Sequence, residues 1–557
     1  VGSEMCIRDR SMFDKKGFHF LFIGIICFFT FFIHNPVIYP DIMESRNLVT
    51  AREMVEYNNW LVPTMNGDLR LEKPPLPTWV AAGMEFLSPD NILLQRAAAG
   101  IIATLLVFFL YFLSVKLTRS RLYGLMAALI LCTSVNIILM GRTATWDIYC
   151  HSFMLGAIYF LFRGFEEEGP RWKDFIGAGV LMGLSFLGKG PVSFYALLLP
   201  FLISYFAIYR PSVRKKGGPI LIMVLLCLVI SLWWPAYLYV YHRDMALYIA
   251  DKESTAWLQH NVRPWYYYWK FFLESGIWSL FLLTALIWPY WKRRMSLKKE
   301  YALTVSWTLT ILILLSFLPE KKSRYLLPIL IPGAMVVAHL FYFWVEKIRM
   351  HLLSRSDKII FKINAFLICL AVVALPVAVY LLFYSEGLMS TALFIVITLL
   401  FIWALWFLIR SAWKVRPLSF LWGIVFLFLM VEISLMPFIA HLFNNREMKS
   451  IREVRNIEEL NTLPFYYPLG EELRIELVYE AGKRILPLDL KNDSLVRECL
   501  PFVLVSREKA ENILKTDTTN RLQLEQIDVY DDNHRPKGTR WYSDLFVRYV
   551  TKIEATK

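Results

Sequence analysis

The stretch Tyr39–Trp79, YPDIMESRNLVTAREMVEYNNWLVPTMNGDLRLEKPPLPTW, is a charged segment in a chain whose other long segments are mostly apolar. It follows an apolar run at Phe18–Ile33 and precedes another at Ile92–Val115. Charged side chains are costly inside a bilayer, so this segment forms a loop outside the membrane if its neighbours cross it. Long loops of this kind are functional or disordered, and the aromatic residues and prolines favour an ordered loop. We therefore predict that Tyr39–Trp79 contributes half of an active site.

The composition of the whole chain indicates an all-α polytopic membrane protein. Of its 557 residues, 57% are hydrophobic and only 19% are charged, whereas soluble proteins carry about 25% charged residues. The apolar residues form runs close to the length of about 20 residues that crosses a hydrocarbon core as a helix. The sequence predicts about thirteen transmembrane helices, at Phe18–Ile33, Ile92–Val115, Leu122–Met140, Ile148–Phe162, Phe175–Leu187, Val192–Tyr209, Pro219–Tyr241, Ile277–Trp291, Ala302–Leu318, Leu326–Val345, Ile359–Phe383, Thr391–Ile409 and Phe420–Leu442.

The positive charges of the chain recur in alternate loops. These basic loops lie at residues 15–16, 116–121, 163–173, 210–216, 292–299, 347–358 and 410–416. Because short basic loops stay in the cytoplasm, the pattern predicts a cytoplasmic N-terminus and a tail outside the membrane. The loops also explain the net charge of +14, so we infer no nucleic-acid partner. The seven cysteines form no Cys-x-x-Cys or Cys/His cluster, and we interpret them as packing residues.

Changes in composition divide the chain into three parts. Residues 1–11 match nothing that follows, and we interpret them as a non-native or disordered leader with a natural start near Met12. Residues 12–443 are predicted to form the transmembrane domain, in which residues 35–91 are the first periplasmic loop. Residues 444–557 are charged and are predicted to form a small soluble periplasmic domain.

The tail is predicted to have an α/β fold. Strand-like runs occur at Leu473–Tyr479 and Phe502–Val505, and a helical pattern occurs at Arg507–Leu514. No catalytic motif is recognisable there, so we interpret the tail as a lid or an interaction domain.

Two acids stand at the start of a helical pattern in the first loop. Apolar residues at helical spacing predict a helix over Met43–Tyr57 lying in the membrane interface. Asp41 and Glu44 would then lie where the helix dipole favours an anion. Each acid has two interpretations: a structural role at the helix start, as an N-cap for Asp41, or a catalytic carboxylate.

The end of the loop carries an acid and a base followed by prolines, in the run LEKPPLPTW. The prolines stiffen the backbone after Glu72 and Lys73 and so fix the directions of these two side chains. Two interpretations are open: a metal ligand with a phosphate-binding partner, or a salt bridge.

A lysine at membrane depth is the second strong signal. Lys189 lies in SFLGKGPV, and an ionisable residue inside a span is costly and is by default a functional candidate. Its flanking glycines, Gly188 and Gly190, would let a bulky anion approach closely. Asp147, in GRTATWDIY, is a lone acid predicted near the same surface. The structural interpretations are a snorkelling loop lysine and a helix-capping aspartate.

A third group of basic residues departs from the charge pattern of the loops. Lys321, Lys322 and Arg324 precede Tyr325 in a turn that is predicted to lie outside, where cations are disfavoured. Together with Lys73 and Lys189 they indicate a site for a phosphate-bearing lipid headgroup.

At these residues the chain resembles the GT-C membrane glycosyltransferases that use polyprenyl-phosphate sugars, above all the lipid A aminoarabinose transferase and the protein O-mannosyltransferases. In that family the first outer loop carries an acid, an arginine, Arg-Glu-Met, Asn-Gly and Glu-Lys-Pro-Pro. The matching residues here are Arg46, Arg52-Glu53-Met54, Asn66-Gly67 and Glu72-Lys73-Pro74-Pro75. The resemblance covers the whole chain, but only the loop motif is specific.

The resemblance implies roles for individual residues. The principal catalytic acid is Asp41 if two residues are inserted here, or Glu44 in the ungapped register, where Met43 takes the aspartate's place. Asp147 matches a second outer-loop acid. The remaining matches are donor phosphate-binding or cavity residues: Lys73, Lys189, Arg46, Arg324, Tyr325 and Glu72.

A divalent metal is the one cofactor that the resemblance suggests. Glu72 matches an acid that can bind the metal. The histidine that the family carries in the later outer loop is not clearly matched by either of the nearest candidates, Glu253 and His260.

The implied activity is inverting transfer of a sugar from undecaprenyl phosphate to a lipid A-type glycolipid at the periplasmic face of a bacterial inner membrane. One alternative is a protein acceptor, as in the protein O-mannosyltransferases. Another is a non-enzyme that flips or transports lipid-linked sugars. The absence of an internal repeat and the position of the charges in the outer loops favour the enzyme.

Overall fold

The computed structural model describes residues 16–259, 261–443, 445, 447–514 and 522–556. The leader at 1–11 and His260 lie outside the described residues. Most of the chain is helical. The helices are α1 Lys16–Phe31, α2 Ile42–Glu56, α3 Leu76–Leu87, α4 Ile92–Thr118, α5 Arg121–Cys132, α6 Val135–Gly141, α7 Trp146–Glu166, α8 Trp172–Lys189, α9 Leu199–Tyr209, α10 Gly217–Tyr241, α11 Arg243–Gln259, α12 Ser279–Ala285, α13 Trp288–Trp291, α14 Lys298–Phe317, α15 Leu327–Arg349, α16 Arg355–Val379, α17 Thr391–Trp413, α18 Pro417–Ser434, α19 Met436–Phe443, α20 Glu458–Asn461, α21 Ile475–Ala481, α22 Asp493–Glu498 and α23 Ala510–Ile513.

The strands are few and short. They are β1 Thr64–Met65, β2 Asp68–Leu69, β3 Phe465–Pro468, β4 Ile485–Leu488, β5 Phe502–Ser506, β6 Leu522–Asp531 and β7 Val547–Ala555. The chain folds as two compact units. The first contains residues 1–35, 72–77 and 96–437, and the second contains residues 36–71, 78–95 and 438–557. Most of the first loop thus folds in the same unit as the tail, whereas the predicted division at residue 444 separates the two.

The first unit is a bundle of apolar helices. Within the described residues, nine helices are long and apolar enough to cross a membrane, or ten if the bent pair α5–α6 is one span. This confirms the polytopic class with fewer spans than thirteen. The other three predicted runs are helical but do not meet the requirements for a membrane span. Helix α8 carries Lys173 and Asp174 near its first residue, and residues 194–209 are too short. Residues 277–291 divide between α12 and α13.

Burial separates central from peripheral helices. The centre of the bundle is α15, which is buried along nearly its whole length, as expected for a helix that is apolar all round. Helices α10, α16 and α17 expose most of their apolar side chains, as is expected of helices at the edge of a membrane bundle. The bent span α5–α6 breaks at Thr133 and Ser134, whose hydroxyls donate back to the carbonyls of Leu129 and Ile130. Such back-bonding bends helices, and it accounts for the 70° angle.

The second unit contains a mixed five-stranded sheet with strand order β4-β3-β5-β7-β6. Strands β4, β3 and β5 are parallel and are connected through α21 and α22, while β7 and β6 are antiparallel. Strand β5 is central and buried at every position, as is typical of strands covered on both faces. The predicted strand at 502–505 is therefore confirmed.

Two of the predicted tail elements differ. Residues 473–479 were expected as a strand, but most of them belong to α21. Short apolar runs do not distinguish a strand from a buried helix, which explains the error. The helix expected at 507–514 shrinks to α23.

The first loop packs onto the tail within this unit. Arg52 of α2 donates to the carbonyls of Val478 and Tyr479 at the end of α21, where the helix dipole favours a cation. Asn66 exchanges two hydrogen bonds with the backbone of Ile485 at 2.7 and 2.8 Å and so extends the edge of β4. Asn66 and Gly67 both have positive φ, as a two-residue hairpin turn between β1 and β2 requires.

Candidate active site

A close helix contact brings Lys189 to Asp147. Gly188 packs against the backbone of Cys150 so tightly that a Cβ atom would lie 3.0 Å from the Cys150 nitrogen. Helices α7 and α8 thus touch near the end of α8, and Gly190, with φ +74°, ends that helix directly after Lys189. Gly188 is therefore required for helix packing. Of the two glycines that flank Lys189, Gly190 is the one that faces open space.

The Lys189 ammonium and the Asp147 carboxylate form a buried ion pair through Nζ and Oδ1. Asp147 is 1% exposed and lies in the first turn of α7, where Thr145 and not Asp147 holds the N-cap position. The capping interpretation of Asp147 is therefore wrong. Asp147 Oδ2 has no partner among the described atoms. A buried carboxylate oxygen without a hydrogen-bond partner has a high cost in free energy. It therefore indicates a site where a polar ligand could bind.

Tyr325 covers the other side of Lys189. Its ring centroid lies 5.0 Å from Lys189 Nζ, within the range of a cation–π contact. Arg324 is close enough to Asp147 to interact with its charge. The structure thus brings together four of the predicted site residues: Asp147, Lys189, Arg324 and Tyr325.

Glu320 belongs to the same network and was not predicted. It is 8% exposed, it accepts a hydrogen bond from the Tyr325 hydroxyl at 3.2 Å, and it pairs with Lys322 Nζ at 2.5 Å. Two signals pointed to Glu320: it is the one acid in a basic turn, and that turn is predicted to lie outside. Outside the spans, burial lowers the pKa of Lys321.

Glu72 and Lys73 each form an ion pair with a residue of α11. Lys73 Nζ lies 2.8 Å from Glu253 Oε2, and Glu72 Oε1 lies 3.1 Å from Lys252 Nζ. Two neighbouring residues of the loop thus form crossed ion pairs with two neighbouring residues of α11. Both residues therefore form salt bridges with partners that are 180 residues away in the chain.

The crossed pairs bear on a bound metal. Among the described residues, no group of three or more His, Cys, Asp or Glu side chains is arranged to hold a metal ion. The group beside Glu72 is the Lys252 ammonium, which would repel a divalent cation instead of helping to bind it. The arrangement of Glu72 does not fit a metal site.

Asp41, Glu44 and Arg46 lie in the second unit, on α2. Asp41 is the N-cap of this helix: its Oδ1 accepts from the backbone nitrogens of Met43 at 3.0 Å and Glu44 at 2.8 Å. Glu44, one turn into the helix, is completely buried, and Arg46 is half-buried. The helix over this stretch is confirmed.

The surroundings of α2 differ from those of a surface helix. Its polar residues Asn47 and Glu53 are buried along with its apolar ones. The helix is therefore enclosed in its unit and not amphipathic with one exposed polar face.

Part of the chain is similar to the protein mannosyltransferases. A sequence profile of the dolichyl-phosphate-mannose-protein mannosyltransferases matches residues 72–234. This segment includes Glu72, Lys73, Asp147 and Lys189.

Curated relatives cover more of the chain. An undecaprenyl phosphate-alpha-4-amino-4-deoxy-L-arabinose arabinosyl transferase of Pseudomonas fluorescens is 25% identical over 74% of this chain and 72% of its own. A transferase of the same description from Yersinia enterocolitica is 28% identical over 54% of each chain. An uncharacterized protein of Aquifex aeolicus is 25% identical over 56% of this chain and 61% of its own. The chain thus spans between about half and three quarters of the length of these relatives.

Solved structures match over nearly the whole chain. ArnT from Cupriavidus metallidurans bound to undecaprenyl phosphate has a TM-score of 0.68, with 14% identity, and covers 96% of this chain and 97% of its own. The same protein in the apo state has a TM-score of 0.66. At this identity the match establishes a shared fold.

Proposed function

From the premise that this chain belongs to the protein O-mannosyltransferase-like GT-C family of membrane glycosyltransferases, we propose that it is an inverting glycosyltransferase. Its donor is a sugar carried on undecaprenyl phosphate, and its acceptor is a lipid A-type glycolipid. The observation that carries the proposal is the buried Lys189, held by Asp147 and covered by Tyr325. Asp147 lies at the start of the span α7, and buried charged groups at a span are costly and typical of a binding site for a charged substrate.

The lysines serve the leaving group. A donor phosphodiester carries one negative charge, and the undecaprenyl phosphate that leaves approaches two, since its second pKa is about 6. Lys189 and Lys73 stabilise the charge that develops as the bond between C1 and the phosphate oxygen breaks. Arg46 and Arg324 are assigned supporting roles at the phosphate, and Tyr325 and Glu72 are assigned to the substrate cavity.

A carboxylate serves the acceptor. Asp41 or Glu44 takes the proton of the acceptor hydroxyl while its oxygen forms the new bond at C1, opposite the departing phosphate. The configuration at C1 is then inverted. If the acceptor is itself a phosphate, no proton has to be removed and the carboxylate only orients the acceptor.

The location follows from the charges of the loops. The family is multi-pass, and the basic loops favour a cytoplasmic N-terminus for this chain. The first loop and the tail then lie in the periplasm of a bacterial inner membrane, where transfer takes place.

A protein acceptor is the second candidate. The observation that favours it is the match of residues 72–234 to the protein mannosyltransferase family. The two candidates differ in which molecule gains the mass of the sugar. With a glycolipid acceptor it is lipid A, and with a protein acceptor it is an envelope protein. Mass spectrometry of both fractions, from cells with and without this protein, separates the two.

The transfer itself is tested with purified protein in nanodiscs. Undecaprenyl-phosphate sugars, with aminoarabinose and mannose among them, are supplied together with lipid A as acceptor. We expect release of undecaprenyl phosphate that depends on the acceptor. Movement of the sugar lipid between leaflets without its consumption would contradict the proposal and favour a transporter.

A further inference from the structure

The crossed ion pairs between residues 72–73 and α11 are a feature that the proposed chemistry does not use. We propose that Glu253 occupies Lys73 in the resting protein in place of the donor phosphate, and that the donor has to displace it. Helix α11 is then an autoinhibitory element, and the inference rests on the proposed function of Lys73.

The geometry supports an exchangeable contact. Lys73 Nζ and Glu253 Oε2 are 2.8 Å apart, but the two side chains are still 25% and 33% exposed. Ion pairs that reach solvent are worth little in free energy and are readily replaced. By contrast, the Asp147–Lys189 pair is buried on both sides. An arriving phosphate therefore displaces the carboxylate at Lys73 more easily than the one at Lys189.

The second ion pair holds α11 in register. Lys252 Nζ lies 3.1 Å from Glu72 Oε1, so the helix is held by two adjacent contacts of opposite polarity. A rotation of α11 that brought Lys252 towards Lys73 would place two like charges together, and like charges repel. Lys252 thus places a positive charge beside Glu72, where the resemblance implies that a metal could bind. We infer that this site works without a metal.

The chain after α11 leads to the second group of site residues. Val262 pairs with Glu320 in an isolated β-bridge, and Arg263 N donates to the Pro319 carbonyl at 3.3 Å. Glu320 in turn accepts from Tyr325, whose ring covers Lys189. The turn that carries Tyr325 is therefore held by residues 262 and 263, which follow α11 closely in the chain.

The test measures binding of undecaprenyl phosphate to the full-length protein in nanodiscs. Four proteins are compared: wild type, Glu253→Gln, Asp251→Asn, and Glu253→Gln combined with Lys73→Gln. Asp251 is the matched control because it loses the same charge from the same helix and its side chain is exposed. We expect Glu253→Gln to bind about fivefold more tightly than wild type, since a competing ion pair is removed.

The outcomes separate this inference from the proposed function. Asp251→Asn should bind like wild type, and the gain of Glu253→Gln should disappear when Lys73 is also replaced. Unchanged binding by Glu253→Gln, or an equal gain in Asp251→Asn, would overturn the inference while the proposed function stands. A wild-type protein that does not bind undecaprenyl phosphate would overturn both.

The metal part has its own measurement. EDTA and added Zn²⁺ should each leave the thermal unfolding midpoint and the affinity for undecaprenyl phosphate unchanged. A rise in the midpoint with Zn²⁺ that is lost in Glu72→Gln would overturn the assignment of Lys252.

Discussion

At the scale of single residues, Asp41 and Glu44 differ in what holds them. Asp41 uses one carboxylate oxygen to cap α2, with two backbone nitrogens within 3.0 Å. Glu44 is enclosed in the second unit. The sequence predicted a structural and a catalytic interpretation of each residue, and a cap does not exclude catalysis because the second oxygen of Asp41 is not used for capping. Variants of the two acids distinguish their roles.

Asp41→Asn should fold normally, because asparagine caps helices as well as aspartate does. If Asp41 is the acid, transfer should fall by about 10²- to 10⁴-fold, the usual contribution of a general base. Asp41→Ser, which keeps the cap without an amide, serves as the control for folding. Full transfer by both variants, with loss of transfer in Glu44→Gln, would move the role to Glu44.

Glu320 allows a sharper test, because the chain contains a similar group elsewhere. Asp357 is also a buried acid that accepts from a tyrosine, Tyr290 at 2.9 Å, and pairs with a cation, Arg294 at 3.1 Å. We expect Glu320→Gln to lower kcat/KM for the donor about tenfold, by loosening Tyr325 over Lys189.

The controls for Glu320 are a second mutation and the similar acid. The loss should vanish in a Tyr325→Phe background if Glu320 acts through Tyr325. Asp357→Asn should change stability but not the KM for the donor. An equal effect of Glu320→Gln with and without Tyr325 would contradict the positioning role.

At the scale of elements, two of the motifs that carry the family resemblance, Arg52-Glu53-Met54 and Asn66-Gly67, hold the first loop to the tail. Arg52 caps α21, and Asn66 extends β4. Glu53 accepts from Asn66 N at 2.6 Å and pairs with Arg484 at 2.7 Å. The sequence predicted the helix α2 from its periodicity. It did not predict the docking, because the partners lie more than 400 residues away and have no motif of their own.

Another contact of the tail makes its stability depend on pH. Asp532 is buried and accepts from the Ser450 hydroxyl at 2.6 Å and from Ile451 N at 3.0 Å. Burial, with Glu480 and Asp531 nearby, raises the pKa of Asp532 to about 7. Because the folded protein holds this proton more tightly than the unfolded chain, the contribution of Asp532 to stability falls as pH rises from about 4 through 7.

The thermal unfolding midpoint of wild type relative to Asp532→Asn should therefore decrease between pH 5 and pH 8. Burial lowers the pKa of His534, which acts in the opposite direction, but it is common to both proteins and cancels in the difference. A difference that grows with pH would contradict the assignment.

At the scale of the whole molecule, composition was enough to predict a polytopic helical protein. Hydropathy overestimated the spans because it does not register breaks such as the one between α12 and α13 or the charges at the start of α8. Lys189 was predicted from its cost in a membrane, and Asp147 was predicted as a lone acid near the same surface. Their pairing was not predictable, since it depends on Gly188 bringing α8 against α7. The crossed pairs with α11 were also beyond prediction, because nothing local marks Lys252 and Glu253 as partners.

The central claim is that a buried lysine stabilises the leaving lipid phosphate. Lys216 is a matched control: it is also buried and lies 5.6 Å from an aromatic ring centroid, but its ammonium bonds three backbone carbonyls, of Gly164, Phe165 and Glu167. Both alanine variants remove a buried ammonium, so both should lower stability.

The decisive measurement is therefore the rate of undecaprenyl phosphate release per folded protein in Lys189→Ala and Lys216→Ala. We predict a loss of about 100-fold or more for Lys189→Ala and a rate close to wild type for Lys216→Ala. Wild-type release by the Lys189 variant, or an equal loss in both, would contradict the account.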